Sequence, residues 1–234
     1  MSRSGPSNSP GPADLVGEVL DGLLARADPV RAADMRAYMR DQFDFLGVPT
    51  PARRAASKEL VRAARRAPEP EVVAVIDRVW ARPEREFRYV GSDMARAASP
   101  RWGPDRLVDL RRWVTTDSWW DTVDSLAVST GNLVRAHPGL AREMDRWIDD
   151  DDLWVARVAL LHQLGWKDAV DQERLFRYCE QRAADTEFFI RKAIGWALRD
   201  HARTDPGAVR RFVDAHPGLS GLSRREALKH LGGS

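Results

Sequence analysis

The stretch from Trp113 to Ala127 reads WVTTDSWWDTVDSLA and sets Trp120 and Asp124 four residues apart. On a helix that spacing puts both side chains on one face, next to an inward stripe of Trp119, Val123, Leu126 and Ala127. An outward tryptophan costs solubility, and a carboxylate beside it gains little from burial, so a ligand surface explains the pair. The competing account is a tryptophan at the border of the core, with Asp124 capping a helix or pairing with a cation.

Three further groups break the core pattern. Arg157 sits at the edge of an apolar helix that includes Val155, Val158, Leu160 and Leu161. It can pair with Asp124, pair with an acid of the turn Asp149 to Asp152, or present its fork to a phosphate. The segment EFFIRKAIGWALRD, from Glu187 to Asp200, sets Lys192 and Trp196 four apart with Arg199 one turn away. That mixed basic and aromatic face suits DNA as well as side chains lying over a core. Ser223, Arg224, Arg225 and Glu226 form a helix start whose amides and arginines suit a phosphate, although Ser223 and Glu226 are also spaced as a capping box. Near the start, Tyr38 precedes the phrase FLGVPTP at Phe45 to Pro51.

The chain that must position these groups has 234 residues, 43% hydrophobic and 31% charged, the balance of a protein with a sizeable core. Its 37 basic and 35 acidic residues leave a net charge of +2, so bulk charge does not announce a nucleic-acid partner. Arginine far outnumbers lysine, which favours bidentate phosphate contacts only weakly as an argument. Cys179 is the sole cysteine, which rules out an internal disulfide and points to a lone buried thiol. Without a Cys or His cluster, a structural zinc site is not expected, and no cofactor is implied. Residues 1–12 are rich in Ser, Gly and Pro and read as a disordered tail without a secretory signal, hence a cytoplasmic protein. No apolar run is long enough for a membrane crossing.

Helix signals recur along the whole of 13–234, read as one domain, and strand signals do not. Apolar stripes and turn residues predict helices over Ala13 to Ala27, Arg31 to Phe43, a segment from Pro51 to Arg66 capped by Thr50, and one carrying Val72 to Val79. Others follow over Pro83 to Ala98, Pro104 to Val114 and Trp119 to Ala136, the last capped by Asp117 or Ser118 and open to a break at Gly131. A helix from Pro138, then Trp154 to Leu164, Gln172 to Ala183, Thr186 to Ala202, Pro206 to Ala215 and Ser223 to Leu231 complete the series. Pairs recur about every 35 to 45 residues, near the HEAT-like spacing, with little shared sequence. The expected fold is all-α, a curved superhelix of two-helix repeats with a concave binding face; a compact irregular helical domain is the alternative.

Several phrases in one order, YMRDQFDFLGV from Tyr38, TTDSWWDTVDSLA from Thr115, WVARVALLHQLGWK from Trp154, EFFIRKAIGWALRDHA from Glu187 and LSRREALKHL from Leu222, resemble the bacterial DNA alkylation repair glycosylases of the AlkD type. The resemblance runs from about Pro12 to Leu231. It implies a right-handed superhelix of HEAT-like repeats with duplex DNA in the cleft. The family's catalytic tryptophan and aspartate fall on Trp120 and Asp124, its second tryptophan on Trp196, its active-site arginine on Arg157, and its aromatic residue near the duplex on Tyr38. Arg157 is expected to anchor a DNA phosphate, and Tyr38, Lys192, Arg199, Arg224 and Arg225 are the further candidates for DNA contact.

The activity so implied is hydrolysis of the N-glycosidic bond of N3- or N7-alkylated purines, with the lesion left in the duplex. A cationic purine is already a good leaving group, so a carboxylate that stabilises the charge appearing on the sugar, and orients water, suffices. The expected protein is a monomer with alkylated duplex DNA as partner, no obligate protein partner and no membrane. Alternatives are a lyase using Lys192 as an amine nucleophile, and a helical-repeat DNA-binding or scaffolding protein without turnover.

Overall fold

The computed structural model describes residues 10–231. Among them it has thirteen α-helices and no strand, only an isolated bridge between Asp44 and Glu84. The chain divides into two compact units, one ending at Ala98 and one beginning at Ser99. Of the tail expected over 1–12, residues 1–9 lie outside the described residues, while Pro12 is buried and already helical.

The first unit holds α1 (Pro12–Leu24), α2 (Pro29–Tyr38), α3 (Thr50–Ala64), α4 (Glu69–Trp80) and α5 (Arg85–Ala98). α1, α3 and α5 lie side by side, and α4 packs across α1 and α5. Val16, Val19 and Leu23 of α1, Leu60 and Ala64 of α3, and Val72, Val75, Ile76 and Val79 of α4 are buried, while Leu24, at the end of the α1 stripe, is exposed. The phrase FLGVPTP is a loop pinned from inside, because the fully buried carboxylate of Glu86 accepts the amides of Leu46, Gly47 and Val48 at 3.0, 2.9 and 3.0 Å. Three charge-assisted bonds explain how a carboxylate is tolerated there. Thr50 does not cap α3: it is the first helical residue, and Pro49 occupies the cap.

The second unit holds α6 (Leu107–Val114), α7 (Trp120–Ala136), α8 (Ala141–Trp147), α9 (Leu153–Leu161), α10 (Gln172–Gln181), α11 (Phe188–His201), α12 (Pro206–Ala215) and α13 (Gly221–Leu228). α7, α9, α11 and α13 form one row of successive neighbours. The even-numbered helices make the second layer, α6 on α7, α8 on α9, α10 on α9 and α11, and α12 on α11 and α13. These are stacked helical pairs, as the recurrence of the sequence required. α9 is buried at every position from Val155 to Leu161, because it is covered from both sides of the row and by the second layer.

Two glycines permit the close approach of helices in that row. A β-carbon on Gly131 would stand 1.8 Å from the carbonyl oxygen of His162, so α7 passes within backbone contact of the end of α9. Gly131 therefore does not break α7, which continues to Ala136. A β-carbon on Gly195 would meet Glu226 Cβ at 2.5 Å, which places α13 directly on α11. Cys179 is fully buried, and burial pushes its thiol well above its ordinary pKa, consistent with an inert packing residue.

Candidate active site

α7 begins at Trp120 with Trp119 at its cap, whose side chain makes no capping bond; Ser118, one of the two caps expected, instead donates to the Val114 carbonyl at 2.5 Å. Val123, Leu126 and Ala127 face the core, and one turn into the helix Asp124 emerges at the edge of that buried face. Opposite stands Arg157 of α9, whose side chain is only 3% exposed against 15% for Asp124. Its Nε donates to Asp124 Oδ1 at 2.7 Å, and its Nη2 donates to Oδ2 at 2.9 Å. Nη1 donates to the Phe189 carbonyl, in the first turn of α11, at 2.5 Å. Of the partners open to Arg157 in the sequence it has Asp124. Within the acidic turn, Asp150 takes Arg111 at 2.5 Å and Asp152 caps α9 through the Trp154 amide at 2.8 Å.

An aromatic cluster adjoins Arg157 through Phe189. Trp119, Trp154 and Phe189 contact one another with ring centroids 4.9 to 5.7 Å apart, and the Arg157 guanidinium lies 6.0 Å from the Phe189 ring. Burial pushes the Asp124 carboxyl above the usual carboxylate range; the bonds and charge of Arg157 pull it back, and Asp121 adds to the rise. The site thus presents one carboxylate, fixed in orientation by a fork and partly dehydrated, with the half-exposed Trp120 one turn before it. Such a group can stabilise a cation in contact with it far better than a hydrated one can.

The Lys192 and Arg199 cations meet on Glu226 of α13, at 2.5 Å to Oε1 and 2.6 Å to Oε2. Glu226 therefore does not close a capping box with Ser223: Ser220 caps α13, and the buried Ser223 donates its hydroxyl to the Arg191 carbonyl at 2.9 Å. Lys192 bonding foremost holds the Glu226 carboxyl below its ordinary pKa. Arg224 donates to the carbonyls of Val213 and His216 at 2.6 and 3.3 Å, while Arg225 is exposed. Trp196 is half-buried on α11, and Tyr38 in the first unit is 74% exposed at the end of α2.

Sequence reading missed the Phe189 carbonyl and the partnership of Trp119, Trp154 and Phe189. A main-chain acceptor leaves no mark on residue type; the aromatic cluster leaves one, since the doublets WW and FF each supply an inner ring. Among the described residues no group of three or more His, Cys, Asp or Glu could hold a metal ion, and no helix is long and apolar enough to cross a membrane.

A family model described as DNA alkylation repair enzyme matches residues 19–231. The chain belongs to this family. A solved structure titled a predicted DNA alkylation repair enzyme from Enterococcus faecalis is 33% identical, with a TM-score of 0.82 over 89% of this chain and 98% of that one. AlkD2 from Streptococcus mutans has the same fold at 17% identity and a TM-score of 0.60, covering 75% of this chain and 90% of its own. The structure of smu.31 from Streptococcus mutans UA159 gives the same identity and score, over 75% and 93%. No curated protein matches the chain.

Proposed function

We propose that this family member is a monofunctional DNA glycosylase, which hydrolyses the N-glycosidic bond of N3- and N7-alkylated purines in duplex DNA. The observation that carries the reading is the Arg157 grip on Asp124, which holds a carboxylate in one orientation where little water competes for it. The C1′–N bond breaks, and its electron pair neutralises the cationic purine. Positive charge passes to the sugar, where Asp124 stabilises it. A water molecule oriented by Asp124 adds to C1′ and gives up a proton to that carboxylate. The reaction needs no oxidant and no group carrier.

Trp120 and Trp196 contribute indole faces to the sugar and the cationic base. Arg157 reads best as the residue that positions Asp124, since a phosphate contact through its fork requires that grip to open. Tyr38 and Arg225, both exposed, are assigned to the duplex. Lys192, Arg199 and Arg224 contact phosphates only beyond their present acceptors, and the engagement of Lys192 Nζ by Glu226 argues against a lyase nucleophile.

The test is chromatography of bases released from methylated duplex DNA by the wild type and by Asp124→Asn. Wild-type release of 3-methyladenine or 7-methylguanine that the variant loses is the expected result. A helical-repeat DNA-binding protein without turnover would bind the same duplex and release nothing.

A further inference from the structure

On α11, Lys192, Trp196 and Arg199 follow one another at spacings of four and three residues and so share one stripe of the helix. Among the described residues Trp196 makes no hydrogen bond and no ring contact, unlike Trp119 and Trp154, which lean on each other and on Phe189. A half-buried indole with neither kind of partner keeps one rotamer only through the side chains packed beside it. On its own stripe these are Lys192 and Arg199, chains with among the most rotamer freedom to lose.

Glu226 removes that freedom. Its Oε1 accepts from Lys192 Nζ at 2.5 Å and its Oε2 from Arg199 Nη1 at 2.6 Å, and its side chain is only 15% exposed. At the rise of a helix the α-carbons of Lys192 and Arg199 stand about 10.5 Å apart, yet both side chains end on one carboxylate. They therefore bend inward along the helix, toward the turn that carries Gly195 and Trp196. The stem of Glu226 stands on that turn, since a β-carbon on Gly195 would meet Glu226 Cβ at 2.5 Å. It is fixed there from a second point, because Ser223, one turn earlier on α13, donates its hydroxyl to the Arg191 carbonyl at 2.9 Å. Two cations flank the indole along the helix, and one anchored carboxylate holds both.

We infer that Glu226 is a positioning residue of the active site, which acts through Lys192 and Arg199 to hold the Trp196 indole in one orientation. The inference rests on the proposed glycosylase, in which Trp196 offers its face to the sugar and the cationic base; Glu226 itself touches neither.

The experiment reads indole mobility and base release in the full chain. Each of the nine tryptophans gives one indole N–H signal in a nitrogen-labelled protein, and that of Trp196 is the one lost in Trp196→Phe. Glu226→Gln keeps the length of the side chain but loses the charge that holds two cations. In it the heteronuclear Overhauser effect of the Trp196 signal is expected to fall toward that of a mobile side chain, while the other indoles keep theirs. Single-turnover base release per folded molecule falls on the order of tenfold to 100-fold, the scale of a misplaced group. In a Trp196→Ala background the same substitution changes release by less than about twofold, since its route of action is gone. A tie that merely joins α11 to α13 would instead lower release by the same factor in both backgrounds. Should Glu226→Gln fold poorly, Lys192→Met, which cuts one branch and leaves Arg199 on Glu226, is expected to lower the Overhauser effect of Trp196 alone. A wild-type effect at Trp196 in the folded variants overturns the proposal, as does an equal fall in release with and without Trp196. The mobility measurement needs no substrate, so a wild type that releases no base would sink the glycosylase reading and still decide whether Glu226 holds the indole.

Discussion

Arg157 and Asp124 share two parallel hydrogen bonds, of 2.7 and 2.9 Å, and the third branch of the guanidinium ends on the Phe189 carbonyl at 2.5 Å. One side chain thereby joins α7, α9 and α11, and the carboxylate it holds inherits the rigidity of all three. The arrangement separates support from chemistry: the arginine is inside, and the acid is at the edge.

Arg157→Ala is accordingly expected to destabilise the fold by about 3 kcal/mol, the lower end for a broken buried pair, since Asp124 is partly reached by water. Base release per folded molecule falls with it, whereas the salt dependence of DNA binding stays at the wild-type slope. Arg157→Lys keeps the charge but loses the fork, and its excision is expected to fall on the order of tenfold with the fold preserved. Urea unfolding and salt titration of both variants check this. A slope lowered by about one unit in a folded variant would instead make Arg157 a phosphate ligand.

Gly131→Ala tests the approach of α7 to α9. Alanine is the better helix former by about 1 kcal/mol, yet its methyl would stand 1.8 Å from the His162 carbonyl oxygen. Backbone cannot rotate out of the way as a side chain can, so the helices must separate. A net loss of about 2 kcal/mol or more is expected, with weakened excision because Arg157 and Asp124 sit on the two displaced helices. Calorimetry that found the variant more stable would refute the close contact.

His162 predicts a pH dependence of stability. Burial lowers its pKa to about 4, against an ordinary imidazole value of 6.5, with its Nδ1 2.7 Å from the Ala159 carbonyl. The unfolded chain takes up a proton below about pH 6.5 that the folded chain refuses until near pH 4. The contribution is thus fully present above pH 6.5 and is lost as pH falls towards 4, by roughly 3 kcal/mol in all. Unfolding free energies at pH 7 and pH 4.5 should differ by about 2 to 3 kcal/mol more in the wild type than in His162→Gln. Equal differences would mean that the imidazole is protonated in place.

The helices were legible because apolar spacing and proline are local signals: α12 begins at Pro206 and ends at Ala215 as the sequence implies, and α1 shifts by only a turn at its end. Caps were less so. Thr50, Ser118 and Ser223 have the right side chains, but each is displaced by a neighbour, Pro49, Trp119 and Ser220, that the tertiary path puts at the boundary. The adjacency of Trp120 and Asp124 follows from helical geometry alone. That Asp124 takes Arg157, and that Lys192 and Arg199 converge on Glu226, depends on how helices pack across 27 to 34 residues of sequence, which no local pattern encodes.

Asp124 carries the last prediction. Its carboxyl is raised by burial more than Arg157 restrains it, so the form proposed to act, the carboxylate, is lost at a higher pH than an ordinary aspartate would be. Single-turnover base release should therefore rise with pH through one ionisation that lies above the ordinary aspartate range, and level off once Asp124 is charged. In Asp124→Asn that limb disappears. The rate should fall on the order of 100-fold to 1,000-fold, because a neutral amide does not stabilise charge that appears only in the transition state. The fall is partial, since an N7-alkylated purine already carries the charge that activates it. Asn accepts only one of the two Arg157 bonds and turns an N–H toward the other, so some stability is lost, about 1 to 3 kcal/mol. Rates must for that reason be taken per folded molecule, at saturating enzyme and beside DNA affinity, which is expected to survive. Wild-type excision in the folded Asn variant would leave Asp124 as an internal partner of Arg157 and nothing more.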